Sequence, residues 1–278
     1  MEWWHAIILG VIEGITEFLP ISSTGHLTIT EKLLGYQLND PSMTAFTAII
    51  QTGAVIATVV YFWHDIVRVA GAWLAGMVNI RARKKPDYAY GWAIIIGSIP
   101  IAVVGLLFQD EIETILRSLW WVAGALIVWS GVMWWADKTA QQKRSEDHAT
   151  WRDTLAIGCA QCLALIPGVS RSGATMSAGL LRGFDRLTVT RLSFFLSIPA
   201  LLAASLLQFI TKFHVIETGV GWGPTILGMM VSFLVGYAAV AWLLKFIAGH
   251  DYSVFIWYRL GLGVLLVGLL ATGVIQSV

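Results

Sequence analysis

Residues 154–181 read TLAIGCAQCLALIPGVSRSGATMSAGLL, and the break inside this stretch decides the fold. The stretch is long enough to cross a bilayer core, which takes about 20 apolar residues as a helix. Pro167-Gly168 interrupts it, followed at once by Ser170-Arg171-Ser172-Gly173. A proline inside a helix removes a donor and clashes with the preceding turn, so the stretch reads as two short helices around a polar break. Residues 3–34 repeat the pattern, with Glu13, Glu17, Pro20 and then Ser22-Ser23-Thr24-Gly25. Non-helical backbone at membrane depth is tolerated only where protein buries it or a wet cavity is lined by it. Each stretch is therefore expected to be a re-entrant helical hairpin.

Around these two breaks lie six uninterrupted apolar stretches, roughly 44–63, 89–108, 119–136, 190–210, 223–244 and 254–275. The 278 residues are 57% apolar and 13% charged, against about 45–50% and about 25% in soluble domains. Fourteen Trp residues suit the membrane–water interface. A net charge of +1 argues against a nucleic-acid binder. The expected fold is an all-α polytopic membrane protein with six transmembrane helices and two re-entrant helical hairpins. It forms one integral membrane domain over 1–278, with halves 1–136 and 153–278. Cys159 and Cys162 read as small core residues. Glu2 in place of a basic n-region, with no small-residue cleavage site, argues that the first stretch is retained.

Thirteen of the Lys and Arg residues fall in the segments 64–88, 137–153 and 182–191 and at Lys245. The segments 31–43, 109–118 and 211–222 carry only Lys32, Arg117 and Lys212. The positive-inside rule places the basic set in the cytoplasm. Six spans and two re-entrant hairpins satisfy this distribution, and the hairpins then approach the midplane from opposite faces, the logic of an inverted-topology repeat. At an offset of 148, Glu13 falls on Gln161, Ser22 on Ser170, Gly25 on Gly173 and Phe46 on Phe194. Ser-Ile-Pro at 98–100 and 197–199 is a competing echo at a different offset.

Glu13 and Glu17 share one helix face, and carboxylates in an apolar helix are costly enough to signal function. They suit a hard divalent cation, Mg²⁺ or Ca²⁺, or a general base, or a structural pairing with Arg171. Ser22, Ser23 and Thr24 are good helix caps, and a helix start beside Gly25 can receive a phosphate. His26 can move a proton near neutral pH. Arg171 carries a planar, permanently charged fork suited to phosphate. Gln51 and Gln161 read as hydrogen-bonding residues, and Arg191 and Arg259 as snorkelling residues near helix ends, with reach to an anionic substrate group as the alternative for either arginine. His64, His148, His214 and His250 read as surface residues, and segment 66–79 as an amphipathic interfacial helix.

Glu13-Gly-Ile-Thr-Glu17 and Pro167-Gly-Val-Ser-Arg-Ser-Gly-Ala-Thr175 resemble the two motifs of the bacterial undecaprenyl pyrophosphate phosphatases of the bacitracin-resistance type, (E/Q)xxxE and PGxSRSxxT. The similarity of layout runs over almost the whole chain. The resemblance implies an inner-membrane enzyme that removes one phosphate from a C55 lipid diphosphate, depends on a divalent cation and opens to the periplasm. Its substrate would be a polyprenyl diphosphate, the lipid on which bacitracin also acts. It implies Ser23 as nucleophile, with His26 or Glu17 as its base, and Glu13 and Glu17 as cation ligands. Arg171 would neutralise the transferred phosphoryl group. Ser22, Thr24, Gly25, Ser170, Ser172, Gly173 and Thr175 would cradle the phosphate. Direct attack by water stays open at this stage, as do a homodimer and a polyprenyl-phosphate flippase, alone or as a second activity.

Overall fold

The computed structural model describes residues 1–37, 40–108 and 118–277. Its regular elements are helices: α1 (Trp3–Thr16), α2 (Ser23–Leu33), α3 (Pro41–Tyr61), α4 (Trp63–Val78), α5 (Pro86–Leu107), α6 (Leu119–Thr139), α7 (Trp151–Gln161), α8 (Arg171–Leu181), α9 (Arg186–Thr218), α10 (Trp222–Ile247) and α11 (Ser253–Ala271). Local chemistry sets the starts. Pro41 and Pro86 open α3 and α5, where the missing N–H costs nothing. Asp40, Ser118, Thr150 and Asp185 cap α3, α6, α7 and α9 with side-chain oxygens, satisfying donors that a helix start leaves free.

Six helices, α3, α5, α6, α9, α10 and α11, are long and apolar enough to cross a membrane, and they occupy the six expected stretches. The chain is thus a multi-pass membrane protein. The largest difference is α9, which runs 33 residues, or about 50 Å at 1.5 Å per residue. It exceeds a hydrocarbon core of about 30 Å, because parts of the expected loops 182–191 and 211–222 are helix. Exposed Trp pairs stand at both ends of α6, Trp120-Trp121 and Trp134-Trp135, as interfacial anchors do. The expected interfacial segment 66–79 is α4, which packs on α5. Arg117 lies outside the described residues.

The basic segments converge on one face. Arg191 donates to Glu146 at 2.8 Å and to Asp65 at 3.1 Å, and Arg186 to Asp137 at 2.7 Å. Arg68 pairs with Asp65 and Asp87. Asp153, 1% exposed, receives Arg144 at 2.6 Å and Arg182 at 2.7 Å. Burial pushes the Asp153 carboxyl up, but hydrogen bonds from Arg144, Thr150 and Arg182 outweigh it and hold the group well below the usual carboxylate range. A depressed folded-state value means that this stabilisation is complete above the unfolded value of about 3.9. It is lost as pH falls toward the folded one. Asp153→Asn should therefore destabilise the protein by about 3 kcal/mol at pH 7 and flatten the acid limb of its thermal-unfolding profile, measured in detergent from pH 3 to 7.

Each pair of short helices folds back on itself. His5 near the start of α1 meets the Tyr36 hydroxyl just past α2 at 2.6 Å, and Asp153 at the start of α7 meets Arg182 just past α8. Glycines seat these pairs against long helices. A Cβ on Gly10 would lie 2.5 Å from the Gly228 carbonyl oxygen in α10, and one on Gly158 would strike the Gly97 carbonyl in α5. Small residues at such contacts let helix backbones approach, the usual glue between helices in lipid. Gly10 and Gly158 are themselves 148 apart.

Two expectations are overturned. Cys159 is exposed and Cys162 half-buried, because the buried face of α7 is taken by Asp153, Thr154, Ile157, Gly158 and Gln161. Arg259 does not snorkel: it is fully buried in the protein. The four histidines 64, 148, 214 and 250 are exposed, as expected.

Candidate active site

The two polar breaks are built alike. Ser22 has φ 75° and Ser170 has φ 76°, a region costly for residues with a side chain and concentrated at functional sites. Each serine caps the next helix. Ser22 Oγ accepts from Gly25 N–H at 3.3 Å, and Ser170 Oγ accepts from Gly173 N–H at 3.2 Å. Both helices that follow are 11 residues long. The twisted serines turn the chain sharply enough that α2 and α8 start facing the same interior space.

Glu17 joins the breaks. Ser23 Oγ donates to Glu17 Oε2 at 2.6 Å, and Arg171 Nη2 donates to Glu17 Oε1 at 2.9 Å. One carboxylate thus holds the hydroxyl of the first break and the guanidinium of the second. Glu17 is 5% exposed, and Arg171 has 13% of its side chain exposed. Arg171 Nη1 is buried and has no hydrogen-bond partner among the described residues. One turn earlier, Glu13 is 1% exposed and its Oε1 is likewise unpartnered.

Two connected cavities meet at these groups. A cavity of about 170 Å³ is lined by Glu17, Ser22, Ser23, Thr24, Ser170 and Arg171. A polar cavity of about 300 Å³ continues from Glu13, Ser23 and Thr24 past Gln51 to Glu31, Thr44 and Thr47. The structure thus gathers Glu13, Glu17, Ser22, Ser23, Thr24, Ser170 and Arg171 around one space. Gly25 and Gly173 stand behind it, their N–H groups held by the capping serines.

Three expected site residues face elsewhere. Ser172 Oγ donates to the Leu19 carbonyl at 3.0 Å and ties one break to the other. Thr175 is 1% exposed and its hydroxyl bonds the Arg171 carbonyl at 2.9 Å and Ser193 Oγ at 2.7 Å. His26 Nδ1 donates to the Ser22 carbonyl at 2.7 Å, leaving Nε2 to accept from the Tyr258 hydroxyl at 2.7 Å. Of the two bases considered for Ser23, it is Glu17 that holds its hydroxyl. Gln51 lines both cavities, whereas Gln161 is fully buried with neither amide atom paired among the described residues.

Sequence reasoning named Arg259 but not the place it takes between the breaks. Its Nη1 donates to the Pro20 carbonyl at 3.1 Å, and its Nη2 donates to the Gly168 and Val169 carbonyls at 2.9 and 3.0 Å. Helix breaks leave carbonyls without partners, and one guanidinium satisfies three of them across both breaks. A charge in the middle of α11 was the available signal, since intramembrane arginines face protein. Arg259→Met should lower any turnover at the site by about 10²-fold, the scale of a 1 Å misplacement. Arg259→Lys should restore part of it with the wild-type KM. Steady-state kinetics beside a thermal-unfolding curve separate this positioning role from simple loss of fold.

A hydroxyl held by a carboxylate, a cation with a free donor arm and a second carboxylate with one unpaired oxygen, all lining the cavities inside a membrane bundle, form a constellation for phosphoryl chemistry on a membrane-borne substrate. Curated proteins resemble this chain along its whole length. This chain is 63% identical to an undecaprenyl-diphosphatase 3 of Frankia casuarinae, covering 100% of both chains. It is 54% identical to an undecaprenyl-diphosphatase of Cutibacterium acnes, again over 100% of both. It is 46% identical to an undecaprenyl-diphosphatase of Mycobacterium ulcerans, with 100% of both covered. The family model described as bacitracin resistance protein BacA matches residues 6–265, a range that holds both breaks and Arg259. The chain belongs to the BacA bacitracin resistance protein family.

Proposed function

We propose that this protein is an undecaprenyl-diphosphatase: it hydrolyses undecaprenyl diphosphate to the monophosphate and inorganic phosphate, and so returns a lipid carrier to cell-wall synthesis and removes the form on which bacitracin acts. The observation that carries the reading is the bridge through Glu17, with Ser23 on one oxygen and Arg171 on the other.

In the chemistry we assign, Ser23 Oγ attacks the terminal phosphorus as its proton passes to Glu17, 2.6 Å away. The bond from that phosphorus to the bridging oxygen breaks, and the lipid monophosphate leaves with the proton from Glu17. Arg171 supplies its free Nη1 to the equatorial oxygens, where charge is spread in the transition state. Water then attacks the phosphoserine. Its proton passes to Glu17 and on to the departing Ser23 oxygen, releasing phosphate.

The residues fit a hard divalent cation. Glu13 Oε1 is buried, unpaired and beside the cavity, whereas both Glu17 oxygens already have protein donors. Among the described residues no group of three His, Cys, Asp or Glu could form a protein cage. This suits an ion such as Mg²⁺, bound by one or two carboxylates with substrate phosphates and water. Glu13, supported by Glu17, would hold it, and when bound it would neutralise diphosphate charge.

We also infer that α1–α2 and α7–α8 are re-entrant hairpins in a bacterial inner membrane, related by an inverted repeat. Their matched serine caps and closed ends support this. The basic face is then cytoplasmic, and the polar cavity beside Thr44 opens to the periplasm. The test is phosphate release from C55 diphosphate in oriented proteoliposomes, with Mg²⁺, Ca²⁺ or chelator, read on each side. Cation-dependent phosphate on the side away from the basic face is expected. Release that survives chelation would remove the cation, and release on the basic side would reverse the orientation.

A further inference from the structure

The two breaks match in backbone twist and in serine cap but differ one turn further on. Where the first carries His26, the second carries Ala174, at the same offset of 148. In both, the backbone N–H of that residue donates to the carbonyl of the twisted serine, His26 to Ser22 at 3.2 Å and Ala174 to Ser170 at 2.9 Å. The Ser22 carbonyl takes a second donor, His26 Nδ1 at 2.7 Å, which an alanine side chain cannot supply. That carbonyl belongs to the peptide joining Ser22 to Ser23. The unit is planar, so a hold on its oxygen also fixes the amide of Ser23 and the Cα from which Oγ reaches Glu17 at 2.6 Å. Ser22 sits at φ 75°, a conformation that persists only where its surroundings over-determine it.

A carbonyl oxygen only accepts, so Nδ1 carries the ring proton of the neutral imidazole and Nε2 is left as a bare acceptor. Which ring nitrogen holds the proton is set by the bond that the other makes. Here that bond comes from outside the hairpin. The Tyr258 hydroxyl donates to Nε2 at 2.7 Å from α11, 232 residues along the chain. Tyr258 is 48% exposed and lines neither cavity of the site. Its neighbour Arg259 holds the Pro20 carbonyl at 3.1 Å. Two consecutive residues of α11 thus brace the first break, one at Pro20 and the other, through His26, at Ser22. Resting on the phosphatase reading above, we propose that Tyr258 is a positioning residue for the Ser23 nucleophile: its hydroxyl locks His26 in the Nδ1–H tautomer, and that N–H holds the Ser22–Ser23 peptide in place. His26 is then a fixed donor rather than a base, in keeping with the hold of Glu17 on the Ser23 hydroxyl.

Tyr258→Phe keeps the ring and removes the donor. In the full-length protein in detergent, acting on C55 diphosphate, it should lower kcat by roughly 10- to 100-fold, up to the scale of a 1 Å misplacement, with KM unchanged. Nitrogen-15 NMR of imidazole-labelled protein at about pH 8, above the ordinary histidine range, gives a readout independent of turnover. The His26 signals, assigned by their loss in His26→Asn, should show Nδ1 protonated in wild type and the proton moved wholly or partly to Nε2 in Tyr258→Phe. His26→Asn also sets an amide N–H where Nδ1 stood, with no tautomer to lock. In that background Tyr258→Phe should cost nothing more, the non-additivity of residues that act along one path. A wild-type kcat in Tyr258→Phe overturns the proposal, as does a loss of kcat with the Nδ1 proton still in place. So does an equal loss in the His26→Asn background, or a folded His26→Asn variant with no turnover, which would make the imidazole itself part of the chemistry. Wild type that releases no phosphate, with the tautomer still shifting in Tyr258→Phe, overturns the phosphatase reading and supports the lock on its own.

Discussion

Glu17→Gln is expected to reduce phosphate release by roughly 10³- to 10⁴-fold, the range of a lost general base. The substitution keeps the size of the side chain and removes its charge. The Ser23 hydroxyl then faces an amide that cannot take its proton, and the Arg171 guanidinium loses its anionic partner, 2.9 Å away. Because Ser23 and Glu17 share one hydrogen bond of 2.6 Å, they should act as a unit. The double variant with Ser23→Ala should fall little further than either single one, as for residues of one catalytic group. A double variant whose losses multiply would mean that Glu17 and Ser23 work independently and would return His26 or water to the centre of the mechanism. Single-turnover phosphate release, with KM measured separately, reads the result.

Arg171→Ala is expected to cost about 10³-fold in kcat, as loss of a cation at a transferring phosphoryl group does. It should also destabilise the fold by about 3 kcal/mol, because Glu17 stays buried without its partner. The two effects can be separated. Arg171→Ala combined with Glu17→Gln removes both charges, so thermal stability should recover while turnover stays absent. Arg171→Lys should regain less than a tenth of wild-type activity. One guanidinium nitrogen holds Glu17 and the other is free for phosphate, a division that the point charge of lysine cannot reproduce in a plane. Activity of Arg171→Ala within tenfold of wild type would remove this residue from the chemistry.

Much of the architecture was legible before any coordinates. Apolar length alone separated six spans from two broken stretches, since the bilayer sets a threshold and proline with charge marks a failure to meet it. The distribution of Lys and Arg grouped 64–88, 137–153 and 182–191 on one side, and the ion pairs of Arg186 and Arg191 join those segments. Spacing also put Glu13 one turn from Glu17 and offered Ser22, with Ser23 and Thr24, as a cap for α2. All of these are local properties, fixed by helix geometry within a few residues.

What the tertiary structure decided is which of several able partners each group takes. Glu17 could pair with a cation, a base or a hydroxyl by chemistry alone; packing gives it Ser23 and Arg171, the latter 154 residues away. The same packing turns Ser172 and Thr175 inward, gives His26 to Tyr258 and faces Cys159 outward. It also draws Arg259 to carbonyls 239 and 91 residues distant. Periodicity records which face of a helix is buried, not what lies opposite. In a bundle with few polar groups the opposite group is chosen by helix approach, here set by glycines such as Gly10 and Gly158. The vocabulary of this site is therefore written in sequence, whereas its pairings exist only once two broken helices meet.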